Sequence, residues 1–413
     1  MSPRLTFPAL LALLLSGTAA AVEIHAAISV APEYRARNDA SSYLTDATAA
    51  EIATRSSRQD IELRLQQGGL NAQGTLRQQV ANGSSPEYHG VANQFYYDGR
   101  IADGLGWTVG KKVLSWGVGF GFKPLDVVQR EDRRSVNAPP LVGVPLLALE
   151  RFTGSDAWTI AWTRPGQGDG DINNDGGERD SALALHWYRL AGDNDVHGVL
   201  RVSPRRRLEA GFGATRILGD EWAIHGAALY QRRGWRRTNA LLDDGGALAA
   251  TDPMMYAAHG GGVKSVAGVQ WTGESGISLL AEAWYDADAY REGDWRALDA
   301  LTAQQLALRG VAPAAAIDGN IAWSSQAFLA SNLLRKNVLL RLAYDDRDGF
   351  KPYGELLVTP GDGGRVLTLG AVWEGDRQRY TLGARQVGGA ADSAYAQAPI
   401  KRVIWAEWRL AVF

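Results

Sequence analysis

The chain has 413 residues, no cysteine and a formal net charge of -2. Without cysteine, a disulfide framework and thiolate metal chemistry are both excluded. The small net charge does not favour binding to a polyanion, and we expect no nucleic-acid partner. The length is enough for two or three soluble domains or for one large barrel, so the pattern along the chain has to decide between these classes.

Residues 1–21 have the composition of a secretory signal peptide. Arg4 is followed by an apolar run from Leu5 to Leu15, and then by small residues that end in Ala21 in an A-x-A arrangement. No later stretch reaches about 18 uninterrupted apolar residues, the length that a helix needs to cross a bilayer. We therefore expect an exported mature chain that is either soluble in the periplasm or an outer-membrane barrel of a Gram-negative cell.

Segment after segment of the mature chain alternates apolar and polar residues with the period of two that strands have. In one such segment Val263, Ala267 and Trp271 fall on one face and Lys264 falls on the other. The same pattern recurs at 222–231, 277–286, 337–345, 366–374 and 379–387. Segments of about 9 to 11 residues fit tilted strands that cross a membrane. A soluble β-sandwich, which has shorter strands, is the alternative.

Short turns and long polar stretches connect these segments alternately. The predicted tight turns begin at residues 68, 103, 191, 218, 273, 333 and 375, and the predicted long loops occupy 38–57, 81–92, 115–144, 165–180, 233–261, 288–320, 346–364 and 389–399. The pattern predicts an all-β fold, a single transmembrane antiparallel β-barrel of about 18 strands, with 16 strands as the alternative. Its short turns face the periplasm and its long loops are extracellular. One barrel domain, residues 22–413, then takes the whole mature chain.

Seven ionisable side chains fall on the polar face of the predicted strands, and we expect them to face the lumen: Glu62, Arg64, Glu209, His225, Glu282, Arg341 and Arg385. The reason is energetic, because an arginine that faces lipid near the membrane centre costs about 2–4 kcal/mol. These residues predict a hydrated interior. They leave open whether the interior is an open pore, since networks of ion pairs fill some barrels and line others.

Residues 109–126, VGKKVLSWGVGFGFKPLD, contain the pair Trp116-Gly117 and end in a P-x-D turn at Pro124 to Asp126. This stretch resembles the corresponding segment of porin-like and alginate-export-like outer-membrane barrels. The resemblance implies a channel, in which the segment leads from a strand into a long loop. It does not identify a substrate.

Five consecutive charged residues follow this motif: Arg130, Glu131, Asp132, Arg133 and Arg134. If this part of the loop folds into the lumen, its acidic and basic groups form a constriction that selects solutes by charge. The alternative is a solvated surface loop. The run is too short and too balanced in charge to indicate a nucleic-acid site.

The stretch GDGDINNDGGERD, residues 168–180, places Asp171, Asn173 and Asp175 at alternate positions, as in the first half of an EF-hand loop. The twelfth position of such a loop is Ala182, where a bidentate glutamate is required. We therefore expect a Gly- and Asp-rich extracellular loop. Calcium at this loop is the one candidate ion, and no other cofactor is expected.

Asp294 and Gly310 predict the two ends of a helix inside one of the long loops. Trp295, Leu298 and Leu301 fall on one face of this helix. It would fold over the mouth as a lid, pack into the lumen or belong to an ordered external loop. The sequence leaves these three placements open.

The chain ends in KRVIWAEWRLAVF, with Phe413 last. This end resembles the terminal strand of Gram-negative outer-membrane proteins, whose last aromatic residue belongs to the signal that the barrel-assembly machinery reads. The apolar face here is Ile404, Trp408 and Val412, one residue out of step with that aromatic residue. We expect the assembly machinery to be a partner and leave the register of this strand open.

These patterns favour a channel in the cell outer membrane that passes small hydrophilic solutes, with saccharides as one candidate class. Two alternatives remain: a sealed barrel with a structural, surface-attachment or envelope-assembly role, and an outer-membrane hydrolase. The sequence contains neither a G-x-S-x-G elbow nor an H-E-x-x-H helix, so we predict no enzyme. The expected partners are membrane lipids, lipopolysaccharide and the transported solutes. Nothing in the sequence indicates an oligomeric state.

Overall fold

The computed structural model describes residues 22–129, 136, 138–164, 180–345 and 349–412. The predicted signal peptide, residues 1–21, lies outside them. Twenty β-strands are present in the described residues, with these bounds: β1 Glu23–Arg37, β2 Arg55–Gln67, β3 Leu70–Ala81, β4 Glu87–Ala102, β5 Leu105–Lys112, β6 Val144–Phe152, β7 Asp156–Thr163, β8 Ala182–Ala191, β9 Asn194–Ser203, β10 Arg207–Leu218, β11 Trp222–Gln231, β12 Gly234–Asn239, β13 Met254–His259, β14 Gly262–Thr272, β15 Ile277–Tyr285, β16 Lys336–Tyr344, β17 Phe350–Thr359, β18 Gly364–Glu374, β19 Gln378–Gly389 and β20 Ile400–Ala411.

Eighteen of these strands form one closed antiparallel barrel, and β12 and β13 form a separate hairpin. Each barrel strand pairs with the next one in the chain, except that β11 pairs with β14. The barrel closes where β1 pairs with β20, so that Ser29 of β1 lies between Asp60 of β2 and Arg409 of β20. The predicted 18-stranded barrel is confirmed, and the 16-stranded alternative is wrong. Closure leaves no unpaired edge among the eighteen described strands, which is what a sheet surrounded by lipid requires.

The two faces of the barrel wall differ, as the alternating sequence predicts. On β16, Leu340 and Leu342 point outward and are 50% and 53% exposed, whereas Leu339 points inward and is 6% exposed. Each of the eighteen barrel strands carries at least one exposed large apolar side chain on its outer face. A protein in water rarely exposes a continuous apolar belt, so the outer face fits contact with hydrocarbon.

The two ends of the barrel differ in the length of their connections. At one end, which we call the turn end, tight turns such as Gly68-Gly69 and Asp103-Gly104 join the strands. Gly104 has a φ of 70°, a left-handed conformation that a residue with a side chain rarely adopts. The longer connections, among them residues 113–143, leave from the opposite end, which we call the loop end.

Two predicted connections are wrong. The stretch 346–364 is not one long loop, because it contains β17. That strand includes Pro352 and Gly354, which are unfavourable in strands and weaken its alternation in the sequence. The tight turn predicted at 333–336 instead ends a long connection at the loop end, where Leu334 is buried.

The loop end carries short helices: α1 Asp46–Glu51, α2 Leu241–Asp244, α3 Glu292–Ala307, α4 Ala314–Ser325 and the 3-10 helix Gln326–Leu329. The helix predicted from Asp294 corresponds to α3, which begins two residues earlier. Asp294 lies in its first turn, where the carboxylate accepts the backbone N–H of Arg291 at 3.0 Å. No helix among the described residues is long and apolar enough to cross a membrane.

Several loops at the loop end share one hydrophobic core, which we call the loop cap. Trp295 of α3 is buried there among the rings of Tyr43, Tyr290 and Phe328, with centroid separations of 6.2, 5.8 and 5.1 Å. The other fully or nearly fully buried members are Leu241, Leu298, Leu301, Ile317, Ile321, Ala327, Leu333, Leu334 and Ala394. Because these residues come from four separate connections, their packing holds those connections together. The helix α3 therefore packs within the loop cap, at the loop end of the barrel.

The loop cap contains one carboxyl group whose ionisation opposes its stability. Asp299 of α3 accepts a hydrogen bond from the hydroxyl of Tyr43 at 2.6 Å. Burial, helped by the carboxylates of Asp392 and Asp362, raises the pKa of Asp299 from 3.8 to about 6. Because the folded cap binds this proton more tightly than the unfolded chain, the cap loses stability as the pH rises from about 4 to about 6. After allowance for partial exposure, we expect a loss of about 1 kcal/mol.

Hydrogen–deuterium exchange of the α3 backbone measures this loss by comparing the wild type with Asp299→Asn. We expect equal protection at about pH 4 and better protection of the variant above about pH 6, since asparagine still accepts the bond from Tyr43 and does not ionise. Asp220→Asn, an exposed change at the turn end, serves as the control and should match the wild type at every pH. Equal protection of wild type and Asp299→Asn at pH 7 would contradict the prediction.

Candidate functional site

The described part of the connection between β5 and β6, residues 113–129 and 138–143, folds back into the barrel, and we call it the inward loop. Trp116, Leu125 and Val128 of this loop are buried in one cluster with inner-face residues that include Val266 of β14 and Leu339 of β16. The strand β16 lies nine places away from β5 in the ring of eighteen, directly across the barrel. The inward loop therefore crosses the lumen from one wall to the other.

The P-x-D turn of the sequence motif sets the path of the inward loop. The carboxylate of Asp126 accepts the backbone N–H groups of Trp116 and Gly117 at 2.7 and 2.6 Å, and the Ser115 hydroxyl donates to it at 3.1 Å. Asp126 is buried, and burial raises the pKa of its carboxyl group above the ordinary value, although the backbone hydrogen bonds oppose this shift. These bonds join the two ends of the segment 115–126, so the loop is folded on itself before it meets the far wall.

Amide side chains hold the base of the inward loop. The side-chain amide of Asn93, on β4, donates to the carbonyl oxygens of Pro140 and Leu141 at 3.2 and 3.3 Å. Within the loop, Gln129 accepts the backbone N–H of Leu114 at 3.2 Å, and its amide also donates to the carbonyl of Val142 at 3.0 Å. The outgoing and returning parts of the loop are thereby tied together next to the wall from which they leave.

A single carboxylate binds the tip of the inward loop to the opposite wall. Glu282 of β15 has a fully buried side chain, and its two oxygens accept the backbone N–H groups of Phe120 and Gly121 at 2.5 and 2.6 Å. The Nε2 atom of His225, on β11, lies 2.6 Å from the same carboxylate. Hydrogen bonds to a charged acceptor are roughly twice as strong as bonds between neutral groups. We call this contact the Glu282 clamp.

Glycines allow the inward loop to approach the far wall closely. A Cβ atom at Gly211 or Gly213 of β10 would lie 2.5 or 2.9 Å from the side chain of Leu125. A Cβ atom at Gly121 of the loop would lie 2.9 Å from the side chain of Trp284 and 3.0 Å from the side chain of Leu339 on β16. Real Cβ atoms do not tolerate such distances without movement of their neighbours. Loop and wall are therefore closely packed along β10, β15 and β16.

The side of the lumen next to β8 and β9 carries a stack of rings. The indole of Trp116 stacks on His186, with centroids 5.0 Å apart and planes 10° apart. The Nε2 atom of His186 lies 3.2 Å from Nδ1 of His197, a distance that fits a hydrogen bond between two imidazole rings. This stack adds a polar contact to the apolar packing of the inward loop.

The inner face of β2, β3 and β16 to β20 has a different character, and we call it the polar wall. Its ionisable members include Arg58, Asp60, Glu62, Arg64, Arg77, Arg341, Glu355, Arg385, Glu407 and Arg409, with Lys351, Glu374 and Arg379 near the turn end. Asp60 pairs with Arg77 at 2.8 Å and with Arg58 at 3.1 Å. Glu62 accepts hydrogen bonds from both terminal nitrogens of Arg409, one of them at 2.8 Å.

In two ion pairs of the polar wall the carboxylate is buried more deeply than the cation that pairs with it. The Arg409 side chain is 36% exposed and its partner Glu62 is 10% exposed. Arg58 is 16% exposed and Asp60 is 1% exposed. Arg64 is exposed and has no hydrogen bond or ion pair within the described part of the chain. In these two pairs, and at Arg64, the polar wall therefore presents guanidinium groups to the lumen.

Arg341 connects the polar wall to the tip of the inward loop. Its guanidinium group lies 5.0 Å from the ring of Phe120, 4.5 Å from the ring of Tyr353, and forms an ion pair with Glu355. The Phe120 ring is partly exposed. Two aromatic faces and a cation thus meet beside the residue that the Glu282 clamp holds.

The structure places all seven side chains that were predicted to face the lumen on the inner face of the wall. Glu282 and His225 form the clamp, Arg341 contacts the loop tip, and Glu209 is fully buried in an ion pair with Arg201. The other three, Glu62, Arg64 and Arg385, lie on the polar wall, where Nε of Arg385 donates to Thr368 at 3.0 Å. The charged run Arg130, Glu131, Asp132, Arg133 and Arg134 and the candidate calcium ligands Asp171, Asn173 and Asp175 lie outside the described residues, so their roles remain predictions.

Three important residues of the site were not identified from the sequence. Asp126 had a visible signal, because it is the last residue of the P-x-D turn, but the turn did not reveal which N–H groups the carboxylate accepts. Arg409 also had a signal, because it lies out of step with the apolar face of the last strand and therefore points inward. Phe120 had none, since its contribution to the clamp is a backbone N–H that any residue supplies.

If the Glu282 carboxylate holds the tip of the inward loop, a weaker hydrogen-bond acceptor at this position should release the tip. In Glu282→Gln one oxygen is replaced by an NH2 group, which cannot accept the second backbone N–H. We expect a loss of about 1.5–3 kcal/mol of loop anchoring. Because the chain has no cysteine, spin labels at Lys123→Cys and Ser278→Cys report the distance from loop to wall without background.

Double electron–electron resonance should give one narrow distance for the labelled parent and a broader, longer distribution for Glu282→Gln. The matched control is Glu274→Gln, which makes the same chemical change at an exposed turn and should leave the distance narrow. Identical narrow distributions in the parent and in Glu282→Gln would show that the carboxylate does not hold the loop.

Comparisons with known proteins give structural matches without sequence matches. No protein-family model and no curated protein sequence matches this chain. Among solved structures, a mutant of the Rh. blastica porin is similar with a TM-score of 0.43 and 9% identity, over 95% of this chain and 100% of the porin. OccAB2 of Acinetobacter baumannii is similar with a TM-score of 0.50 and 9% identity, over 95% of this chain and 98% of OccAB2.

A further match is Wzi of Escherichia coli, described as an outer-membrane protein involved in group 1 capsule assembly and as a carbohydrate-binding β-barrel. It has a TM-score of 0.51 and 8% identity, over 93% of this chain and 84% of Wzi. At such low identities the similarity shows the fold alone. The narrower resemblance to alginate-export-like barrels remains a prediction. This chain therefore has the closed β-barrel fold that is also found in OccAB2 and in Wzi.

Proposed function

We propose that this chain is an outer-membrane channel that passes small hydrophilic solutes along the polar wall, beside the inward loop. The observation that carries the proposal is the asymmetry of the lumen. The inward loop is packed and clamped against one side, whereas arginines on the other side remain in contact with solvent. A loop inside a barrel narrows it, and charged groups at the narrow part select solutes. A barrel sealed by its own side chains would bury and pair such charges, because an unpaired buried charge is costly.

The outer surface supports the membrane location of this proposal. At the turn end, aromatic residues of the outer face form a girdle in which the ring centroids of Trp222 and Trp271 are 6.5 Å apart and those of Trp373 and Tyr380 are 5.7 Å apart. Tryptophan and tyrosine are enriched where a membrane meets water. The apolar belt lies between this girdle and the loop end, as in barrels that cross an outer membrane.

The exposed charge of the polar wall favours anionic solutes over cations. Arg64 presents a guanidinium group that no carboxylate of the described residues engages, and such a group binds carboxylate and phosphate groups through paired hydrogen bonds. Saccharides stay a candidate class, because Phe120 and Tyr353 offer ring faces beside Arg341. The structurally similar Wzi is described as a carbohydrate-binding barrel, which is consistent with this class.

The second candidate is a sealed barrel with a structural, surface-attachment or envelope-assembly role. The close apolar packing of the inward loop and the loop cap favours it, and the similar barrel Wzi is involved in capsule assembly. We propose no enzymatic activity, in keeping with the similar structure Wzi, which is described as a carbohydrate-binding barrel.

Single-channel recording in planar lipid bilayers separates the two candidates. We expect discrete conductance steps from the folded protein, whose folding is verified by heat-modifiable mobility on a gel. The heat-denatured sample is the control and should give no steps. Folded protein that inserts into the bilayer and gives no steps would refute the channel and favour the sealed barrel.

The charge of the polar wall predicts the ion preference of the channel. The double variant Arg64→Gln/Arg409→Gln removes the exposed cation Arg64. It also removes Arg409, which leaves Glu62 without its ion-pair partner. We expect the permeability ratio of chloride to potassium to fall at least about twofold. Reversal potentials in a potassium chloride gradient measure this ratio.

The control for this experiment is Arg164→Gln, which removes an exposed arginine just beyond the end of β7. It should leave the reversal potential unchanged. A double variant with the wild-type reversal potential, or a control with the same shift as the double variant, would contradict passage along the polar wall.

A further inference from the structure

The lipid-facing side of the barrel carries a charged feature that is separate from the lumen. Lys336 of β16, Arg365 of β18, Arg402 of β20 and Arg55 of β2 are all exposed and lie at the loop end of their strands. We call them the outer basic row. On each strand an even number of positions separates the cation from exposed apolar residues of the outer face, namely Leu340, Leu367, Ile404 and Ile61. The four cations therefore point outward, above the apolar belt.

The stagger of the strands decides whether these cations lie at one level. Following the paired residues from Ser29 of β1 through β2 and β3 leads to His89, close to the loop end of β4. A line of paired residues thus rises toward the loop end in the direction of increasing strand number. To stay at one height, a path around the barrel must therefore move about one residue nearer the turn end at each successive strand. This is expected for tilted strands in a barrel.

The outer basic row follows this path of constant height. Arg365 pairs with Gly388 of β19, and Arg402 pairs with Gln386 of the same strand, two residues nearer the turn end. The partners of Arg402 and Arg55 on β1 are also two residues apart in the same direction. Arg365 pairs with Val358 of β17, and Val358 pairs with Val338 of β16. Lys336 lies two residues from Val338 toward the loop end, which is the same offset. The four cations therefore form a level row, one on every second strand.

The row has a single sign of charge. None of its members forms an ion pair within the described ranges, and the side chain of Arg402 donates only to the neutral Gln386 amide at 2.9 Å. The outer face at the turn end is different, because Arg189 there lies 4.0 Å from Asp156. Four unpaired cations at one level, above an apolar belt, have the geometry of a site for anionic groups at a membrane surface.

We propose that the outer basic row binds the phosphate groups of a lipid in the outer leaflet, a phosphorylated glycolipid of the lipopolysaccharide class. The proposal rests on the outer-membrane location given under Proposed function. The acyl chains of such a lipid lie along Leu340, Leu367 and Ile404 while its phosphates reach the row. Arginine is suited to this contact, since its planar fork matches two phosphate oxygens.

Native mass spectrometry of the detergent-solubilised full chain with added bis-phosphorylated lipid A tests the proposal. The row variant is Arg365→Gln/Arg402→Gln. The matched control is Arg164→Gln/Arg232→Gln, which removes two exposed arginines just beyond β7 and β11. We expect the wild type and the control to retain lipid A. The row variant should bind it about fivefold more weakly for each cation, and therefore roughly 30-fold more weakly in total.

Two further arms identify the chemistry that is recognised. Lipid A without phosphates should bind weakly to all three proteins, and free inorganic phosphate at the same concentration should not displace lipid A from the wild type. Equal retention by all three proteins, equal loss in the control, retention that does not depend on lipid phosphate, or displacement by free phosphate would each overturn the proposal.

The proposed channel and the proposed lipid site can be refuted independently of each other. Heat-modifiable gel mobility confirms that each variant is folded, and single-channel recordings of the row variant should match the wild type because the row faces lipid. Lipid A binding by a protein that gives no conductance steps would refute the channel and keep the lipid site. Conductance steps together with unchanged lipid A binding in the row variant would refute the lipid site and keep the channel.

Discussion

A sheet in hydrocarbon has to satisfy every backbone N–H and C=O group within the protein, and the rest of this structure depends on that constraint. Eighteen strands meet it by closing the ring between β1 and β20. Closure divides the side chains of every strand into two sets, of which one faces lipid and the other faces the lumen. Between the aromatic girdle and the outer basic row the outer set is mainly apolar, because the hydrocarbon of a lipid offers charges no partner. The inner set is free to be polar, and the chemistry of the molecule is concentrated there.

The inward loop gives the lumen two unlike sides. On one side Leu125, Trp116 and the glycines of β10 form a closely packed interface that the Glu282 clamp completes. On the other side Asp60 and Glu62 of the polar wall are buried, whereas Arg64 and Arg409 stay in contact with solvent. A buried carboxylate therefore fixes the tip of the inward loop, and we propose that the arginines opposite select the solutes that pass.

Much of the fold could be predicted from the sequence, because the period of two is a direct consequence of strand geometry. The exceptions have physical causes. The strand β17 was missed because Pro352 and Gly354 interrupt its pattern, and the turn predicted at 333–336 failed because buried leucines there belong to the loop cap. The face of a side chain follows from parity, as Glu282 and Arg341 illustrate. Its partner follows from register and from loop folding, and for this reason the contact between Glu282 and the Phe120 backbone could not be predicted.

The most direct test of passage along the polar wall is the single-channel current before and after a charged thiol reagent reacts with a cysteine on that wall. The wild-type chain has no cysteine, so Arg64→Cys offers the only reactive site, and Ala184→Cys places the same group on the closely packed side of the lumen. We predict discrete conductance steps that change after reaction at position 64 and stay the same after exposure of the position 184 variant to the reagent. The absence of steps from the folded protein, or an equal change at both positions, would contradict a channel along the polar wall.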